Sequence, residues 1–478
     1  MKHSVLFRNA DNHWDNGLPL GNGVFGTMLY YEDGILNMPL NHYEVYYNIN
    51  DSVLPSSTEA EDRAFLEKNK SLSPEERAAY GEEHRARRKK ADGNIPPEDE
   101  PFCEYRITRE QAKDLKNHGI APFSGSYPMT GDIAFHFASD MAAKDHTLLL
   151  DVEDASVSLT LGDAARSLSM RTVILREDCA LNEITESDAG CLESVTVSFL
   201  PYRDLDAPDV SFRAVDDSTV VYTVRRPLPP SGKMFVFSGI LRFVGARVAL
   251  AAEEYEAKIK IVEASEKISL LTGIFTDWRY ADTEKEGIVQ MDSWTRTLSC
   301  LKAAHADYWQ TFFDRATICL PDRFLENVYY VNLYALDCCS GKDGVMKHHA
   351  CGLNGLWDVK HPSLWGSMWY WDVNIQASFA GVFTGNRLEL AKVFSDGLRS
   401  YFTRAKAFAI SQHGMHGAAI DYPYSFYYSV WPWCAQYLWF LYEYSQDKAY
   451  LKNEAYPVFL ALCEFCLDLF KWDEAHHS

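Results

Sequence analysis

The chain has 478 residues, 47% hydrophobic and 24% charged, a globular composition that excludes a wholly disordered polymer. Its 46 Lys and Arg face 67 Asp and Glu, a formal charge of −21, so nothing draws it generally toward nucleic acid or anionic lipid. At roughly 100–200 residues per domain, the length predicts about two to four domains.

The N-terminus, Met1 to Arg8, lacks the apolar core of a secretory leader. No stretch reaches the ~20 apolar residues that cross a bilayer. The 11 cysteines are odd in number and scattered, which predicts reduced thiols and a cytoplasmic location. Cys463 and Cys466 have CxxC spacing inside the apolar run Val458 to Phe470 and read as buried core.

The first 275 residues read as strands. Ser156 to Leu161, Ser194 to Phe199 and Thr219 to Val224 alternate polar and apolar residues, the pattern of antiparallel sandwich sheets with one buried face. A charged segment at about 56–117 interrupts them and reads as helical. Within it, Ser73-Pro74-Glu75-Glu76 reads as a helix start, with an N-cap serine, a proline at the first helical position and a glutamate three residues after the cap. The basic cluster Arg85 to Lys90 follows acidic residues, which suits the helix dipole and reads as a solvated surface.

From Asp292 to Phe313 the apolar period becomes helical, predicting a helical linker over 276–320. Beyond Pro321, helices are predicted at Phe324–Cys339, Trp371–Phe383, Arg387–Ala407, Pro432–Tyr444 and Tyr456–Phe470. Helix pairs joined by short loops imply a bundle or an α/α toroid over 321–478. The architecture is therefore multidomain, β followed by α.

Two segments carry chemistry. Leu18 to Met28 contains Gly21, Gly23 and Gly26, lacks the Lys-Ser/Thr of a phosphate loop, and reads as a sandwich turn. Eight of the 12 tryptophans lie after residue 350, and between Asn354 and Gln376 they alternate with amides and carboxylates. Sugars stack their C–H faces on aromatic rings and pair their hydroxyls with amide and carboxylate groups. Asn354, Trp357, Trp365, Tyr370 and Trp371 are thus candidate sugar-binding residues, with Asp372 and Asn374 as polar groups of the same segment. His348, His349, His413 and His416 lack metal-ligand spacing with a third ligand, so no metal or other cofactor is expected.

Together, Trp14 with Pro19 to Gly23, and Trp365 to Gln376, resemble glycoside hydrolase family 95, the inverting α-L-fucosidases and related α-L-galactosidases. Leu36-Asn37, Ser126 to Ile133 and Trp431 to Phe470 extend the resemblance over most of the chain. It implies an N-terminal β-supersandwich, a helical linker and an (α/α)₆ barrel holding the site. The substrate would be a terminal α-L-fucosyl or related residue of an oligosaccharide or glycoconjugate.

By the same resemblance, Asn374 matches an asparagine that positions water with a carboxylate's help, and Asp372 the neighbouring polar position. The usual inverting pair is two carboxyl groups roughly 6.5–9.5 Å apart.

The sequence departs from the family at Tyr370, where a sugar-contacting histidine is common, and at Ala418 to Pro423, where a His-His-Asn run is replaced and Asp421 alone aligns. The family's general-acid glutamate and polarising carboxylate follow the helix that matches Tyr456 to Phe470, and Glu474 comes too early. The expectation is an incomplete (α/α)₆ toroid and a fragment with impaired activity, since losing a general acid forfeits about 10²–10⁴-fold. A disaccharide phosphorylase of the same architecture and a non-catalytic carbohydrate-binding remnant are the alternatives.

Overall fold

The computed structural model describes residues 3–9, 13–45, 73, 76, 130–188, 190–199, 209–228, 233–341, 352–357, 370–400, 402, 405–406, 409–410, 414–419 and 429–470. The chain forms two compact units, and the predicted order of antiparallel β structure followed by helices is what it adopts. One unit comprises Met1–Ile49, Pro101–Lys347 and Asn354–Met368; the other comprises Asn50–Glu100, His348–Leu353 and Trp369–Ser478.

The first unit is built on strands β1 (Ser4–Arg8), β2 (Leu18–Gly21), β3 (Phe25–Glu32), β4 (Ile35–His42), β5 (Asp132–Phe137), β6 (His146–Asp151) and β7 (Ser156–Gly162). Strands β8 (Ser167–Leu175), β9 (Cys179–Glu186), β10 (Leu192–Ser198), β11 (Asp209–Ala214), β12 (Thr219–Leu228), β13 (Lys233–Ala252) and β14 (Glu256–Thr276) complete it. Their order is β1-β6-β7-β8-β9-β14-β10-β5-β4-β3-β2, with β13, β12 and β11 branching from β14. Every pairing is antiparallel. Strand β14 pairs with β10 through Glu256–Lys260 and with β9 through Lys267–Gly273. Alternation places Val157, Leu159 and Leu161 of β7 in the core, as their period of two requires.

Helix α1 (Thr283–Asp314) lies on this sheet. Asp282 caps it, its carboxylate accepting from the Lys285 N–H at 3.0 Å. Met291 and Trp294 enter a core with Leu175, Leu181, Ile240, Leu271 and Phe275. Trp294 stacks on Phe275 with ring centroids 5.6 Å apart. A Cβ at Gly287 would stand 2.8 Å from Ile240 Cδ1 and the Phe275 ring, so glycine is what lets helix and sheet approach. Helix α2 (Arg323–Cys338) follows in the same unit. His3 reaches it from the start of the chain. Its Nδ1 is 2.6 Å from Glu153 Oε1, its Nε2 is 3.0 Å from Glu326 Oε1, and its ring stacks on Tyr330.

The second unit contains α3 (Asn374–Phe379), α4 (Leu388–Ser400), α5 (Val430–Ser445) and α6 (Tyr456–Leu469). Phe394 of α4 stacks on Tyr437 of α5 at 4.7 Å. Lys392 and Arg399 of α4 share Glu454, which lies in a π-helical turn just before α6. Cys463, expected in the core, is exposed and Cys466 is half-buried. Both lie on a helix that also leaves Leu460 and Leu467 in solvent, so apolar composition alone misassigned that face. The described cysteines from Cys179 to Cys466 are free thiols.

Of the segment at about 56–117 only Ser73 and Glu76 are described, and they form the expected reciprocal cap. The Ser73 N–H donates to Glu76 Oε2 at 2.9 Å and the Glu76 N–H to Ser73 Oγ at 3.3 Å. The hydrogen bond from Ser73 holds the Glu76 carboxyl below its usual range. No described helix is long and apolar enough to cross a membrane.

Candidate active site

The glycine-rich turn is a structural keystone of the sheet unit. Asn22 Oδ1 accepts from the N–H groups of Val24 and Phe25 at 2.9 and 2.8 Å. Its Nδ2 donates to the Leu175 carbonyl and to Asp178 Oδ1. Gly23 has φ +93°, and a Cβ there would lie 2.2 Å from the Ser340 carbonyl oxygen, so no other residue fits.

A buried polar network continues from Asp178. Its Oδ2 accepts from Arg279 Nη1 at 2.7 Å, Arg279 Nε donates to Glu44, and Thr276 Oγ1 donates to Glu44 at 2.5 Å. Burial pushes the Glu44 carboxyl up, against the pull of Arg279. Burial, and then the Arg279 charge, hold the His42 imidazole well below its usual range.

The candidate sugar-binding residues fall in different units. Asn354 and Trp357 belong with the sheet: the Trp357 N–H donates a turn bond to the Asn354 carbonyl at 3.2 Å, and its indole Nε1–H donates to the Leu20 carbonyl at 3.1 Å. Trp365 lies outside the described residues. Tyr370, Trp371, Asp372 and Asn374 come together in the helical unit.

That segment is a turn running into α3. Tyr370 and Trp371 are buried, at 9% and 5% exposure, and Trp371 meets Phe394 edge-on at 5.5 Å. Asp372 and Asn374 are half-buried, on either side of the exposed Val373. Burial raises the Asp372 carboxyl above its ordinary range.

Val373 adopts φ +102° and ψ −45°, a region that a β-branched residue enters only under strain of about 1–3 kcal/mol. Such strain persists only where the surroundings over-determine it. Here the Ile375 N–H donates to the Tyr370 carbonyl at 3.2 Å and the Ala377 N–H to the Val373 carbonyl at 2.8 Å.

Sequence reasoning missed the side chains that hold this turn. Gln376 is fully buried; its Oε1 accepts from the Val373 N–H at 3.0 Å, and its Nε2 donates to the Trp371 carbonyl and, at 3.1 Å, to Cys434 Sγ. Tyr437 donates to the Gln376 carbonyl at 2.7 Å. The available signal was a Gln beside Asp372 and Asn374 at the start of the run Trp371–Phe383, with Cys434 and Tyr437 one helical turn apart on α5.

His416 is held separately, its N–H and Nδ1 both meeting Asp468 Oδ2, at 2.7 and 2.6 Å. Among the described residues no three His, Cys, Asp or Glu side chains gather as a metal site.

The fold has a counterpart among solved structures. The chain is similar to the solved structure of a candidate kojibiose phosphorylase from the human microbiome, with a TM-score of 0.58 at 10% identity over 99% of this chain and 60% of that one. Its length thus spans 60% of that relative. Residues 305–478 match the family model described as the glycosyl hydrolase family 95 catalytic domain, the family that the residues around Asn374 resemble. Weaker likenesses are to a GH92 family glycosyl hydrolase (TM-score 0.34, 12% identity, 71% of this chain and 45% of that one) and to a GH92 inverting mannosidase from Bacteroides thetaiotaomicron (TM-score 0.35, 10% identity, 73% and 58%). No curated protein matches the chain.

Proposed function

We propose that the chain is a glycoside hydrolase of the family 95 kind, acting with inversion on terminal α-L-fucosyl or related residues of oligosaccharides. The helices beyond Pro321 would form part of an (α/α)₆ toroid. In this reading the Asn374 amide oxygen accepts a hydrogen bond from the attacking water and aims its lone pair at the anomeric carbon. Asp372, as carboxylate, takes the proton that this water loses. The water oxygen bonds to the anomeric carbon as the glycosidic bond breaks, and the departing oxygen takes a proton from solvent water. Tyr370, Trp371, Trp365, Trp357 and Asn354 are the proposed sugar-contacting residues.

The observation that carries the reading is the pairing of half-buried Asp372 and Asn374 around a strained residue, inside the span that matches the family model. Strained backbone clusters where a site must be pre-organised.

The test uses α-L-fucosyl fluoride, whose leaving group needs no proton, so that the water-positioning residues alone limit the rate. Fluoride release with β-L-fucose as the first-formed anomer is expected, falling at least about 10²-fold in Asn374→Ala. Absence of release, or an Asn374→Ala variant as fast as the parent, would overturn the reading. Turnover only with inorganic phosphate, yielding a sugar 1-phosphate, would identify a phosphorylase instead.

A further inference from the structure

Gln376 does more than cap a short helix. A glutamine at the third helical position ordinarily reaches back to the N-cap N–H, as Gln376 Oε1 does to Val373. Its amide nitrogen has a second task. One N–H meets the Trp371 carbonyl and the other meets Cys434 Sγ, whose own thiol points 3.6 Å to that same carbonyl. The amide therefore clamps the backbone on both sides of Asp372, at Trp371 and at Val373, and ties the clamp to α5. Tyr437 secures the far side through the Gln376 carbonyl. Gln376 and Cys434 are both 0% exposed, so water cannot substitute for these bonds.

We propose that Gln376 is a positioning residue: with Cys434 as its anchor, it holds the Trp371–Asn374 turn in its strained form and thereby sets where Asp372 and Asn374 point. The inference rests on the functional reading above for its consequence, and on the hydrogen bonds alone for its mechanism. A glutamate at 376 is the diagnostic replacement. As a carboxylate it presents an oxygen to the Trp371 carbonyl and the clamp opens; protonated, it regains a donor and the clamp closes.

The experiment measures fluoride release from α-L-fucosyl fluoride, and solves the structure, for the parent chain and for Gln376→Met, Gln376→Glu, Cys434→Ala and Cys434→Ser. Gln376→Met is expected to lose about 10²-fold in kcat with KM little changed, because misplacing a reacting group by about 1 Å costs that much. Gln376→Glu should regain kcat as pH falls, a limb the parent lacks, and Cys434→Ser should recover what Cys434→Ala loses. Folded Gln376→Met with parental kcat, or a Gln376→Glu profile superimposable on the parent's, overturns the inference. If Gln376→Met does not fold, the Cys434 pair decides: equal kcat in the two variants and the parent overturns it. If the parent releases no fluoride, the functional reading fails alone, and the structures decide. Val373 relaxing to negative φ in Gln376→Met or Cys434→Ala supports the clamp, and Val373 staying at positive φ with Asn374 unmoved overturns it.

Discussion

Asn22 and Asp178 meet through a 2.9 Å hydrogen bond from Nδ2 to Oδ1 that ties the first glycine turn to the β8–β9 connection. The same amide serves two N–H groups and the Leu175 carbonyl. Asn22→Ala strands buried backbone groups at about 1–3 kcal/mol each. The sheet unit should lose at least about 3 kcal/mol on that scale, read as an earlier urea midpoint by circular dichroism. A midpoint unchanged from the parent would show that the turn folds without its asparagine.

Val373→Gly probes the strain directly. Glycine accepts positive φ without penalty but adds about 0.5–1 kcal/mol of unfolded-state entropy, against a strain of about 1–3 kcal/mol. The balance predicts a modest gain in stability of the helical unit, seen as a higher Tm. A lower Tm would mean that Val373 sits comfortably where it is.

Acid should weaken the sheet unit through His42. Its folded pKa is depressed by burial and by Arg279, while the unfolded chain titrates near 6.5. The unfolded state then binds more protons, so the stability contribution is whole above 6.5 and is lost as pH falls through the folded value. Asp178 and Glu44, both bonded to Arg279, share this network. Denaturant midpoints measured from pH 7 to 4 should fall, and His42→Gln should flatten the slope. An identical slope in the variant would assign the acid sensitivity elsewhere.

Asp163 gives a second, lower window. Hydrogen bonds from Lys144, and then from the Arg166 and Ala165 N–H groups, draw its carboxyl down from 3.8 to about 2. Its contribution is present above 3.8 and lost between there and about 2. Asp163→Asn should remove that part of the acid transition. An unaltered transition between those values would rule the contribution out.

Asp372 should set the acid limb of activity. Burial raises its carboxyl above 3.8, so protonation, and loss of the working carboxylate, comes at a higher pH than for an exposed aspartate. Plots of kcat/KM for α-L-fucosyl fluoride should fall through that raised value, and Asp372→Asn should lack the limb. A limb retained in the variant would belong to another group.

Strands were legible where one face meets water: the alternation of Ser156–Leu161 became β7, and Thr219–Val224 opened β12. Helices with an apolar stripe were legible to within a few residues, Pro432–Tyr444 becoming Val430–Ser445 and Tyr456–Phe470 becoming Tyr456–Leu469. The start of α1 was not, because Thr283 to Gln290 mixes charges with Gly287 and has little apolar stripe to read. The network joining Asn22, Glu44, Asp178 and Arg279 was illegible for another reason. Each residue is an ordinary turn or strand-end polar group locally, and only the sheet order brings them together. Around Asn374 the polar and aromatic candidates could be singled out by residue type, whereas the Gln376 clamp on their backbone could not, since its anchors lie on a helix more than fifty residues away.

The place of β14 between β9 and β10 has a consequence for biogenesis. Take β14 away and the main sheet falls into two blocks, β1 with β6 to β9, and β10 with β2 to β5. During synthesis both blocks emerge before the strand that sutures them, each presenting an unpaired edge. The ribosome must deliver Thr276 before the two edges can close, and until then the nascent chain is a client for any chaperone that shields open strands.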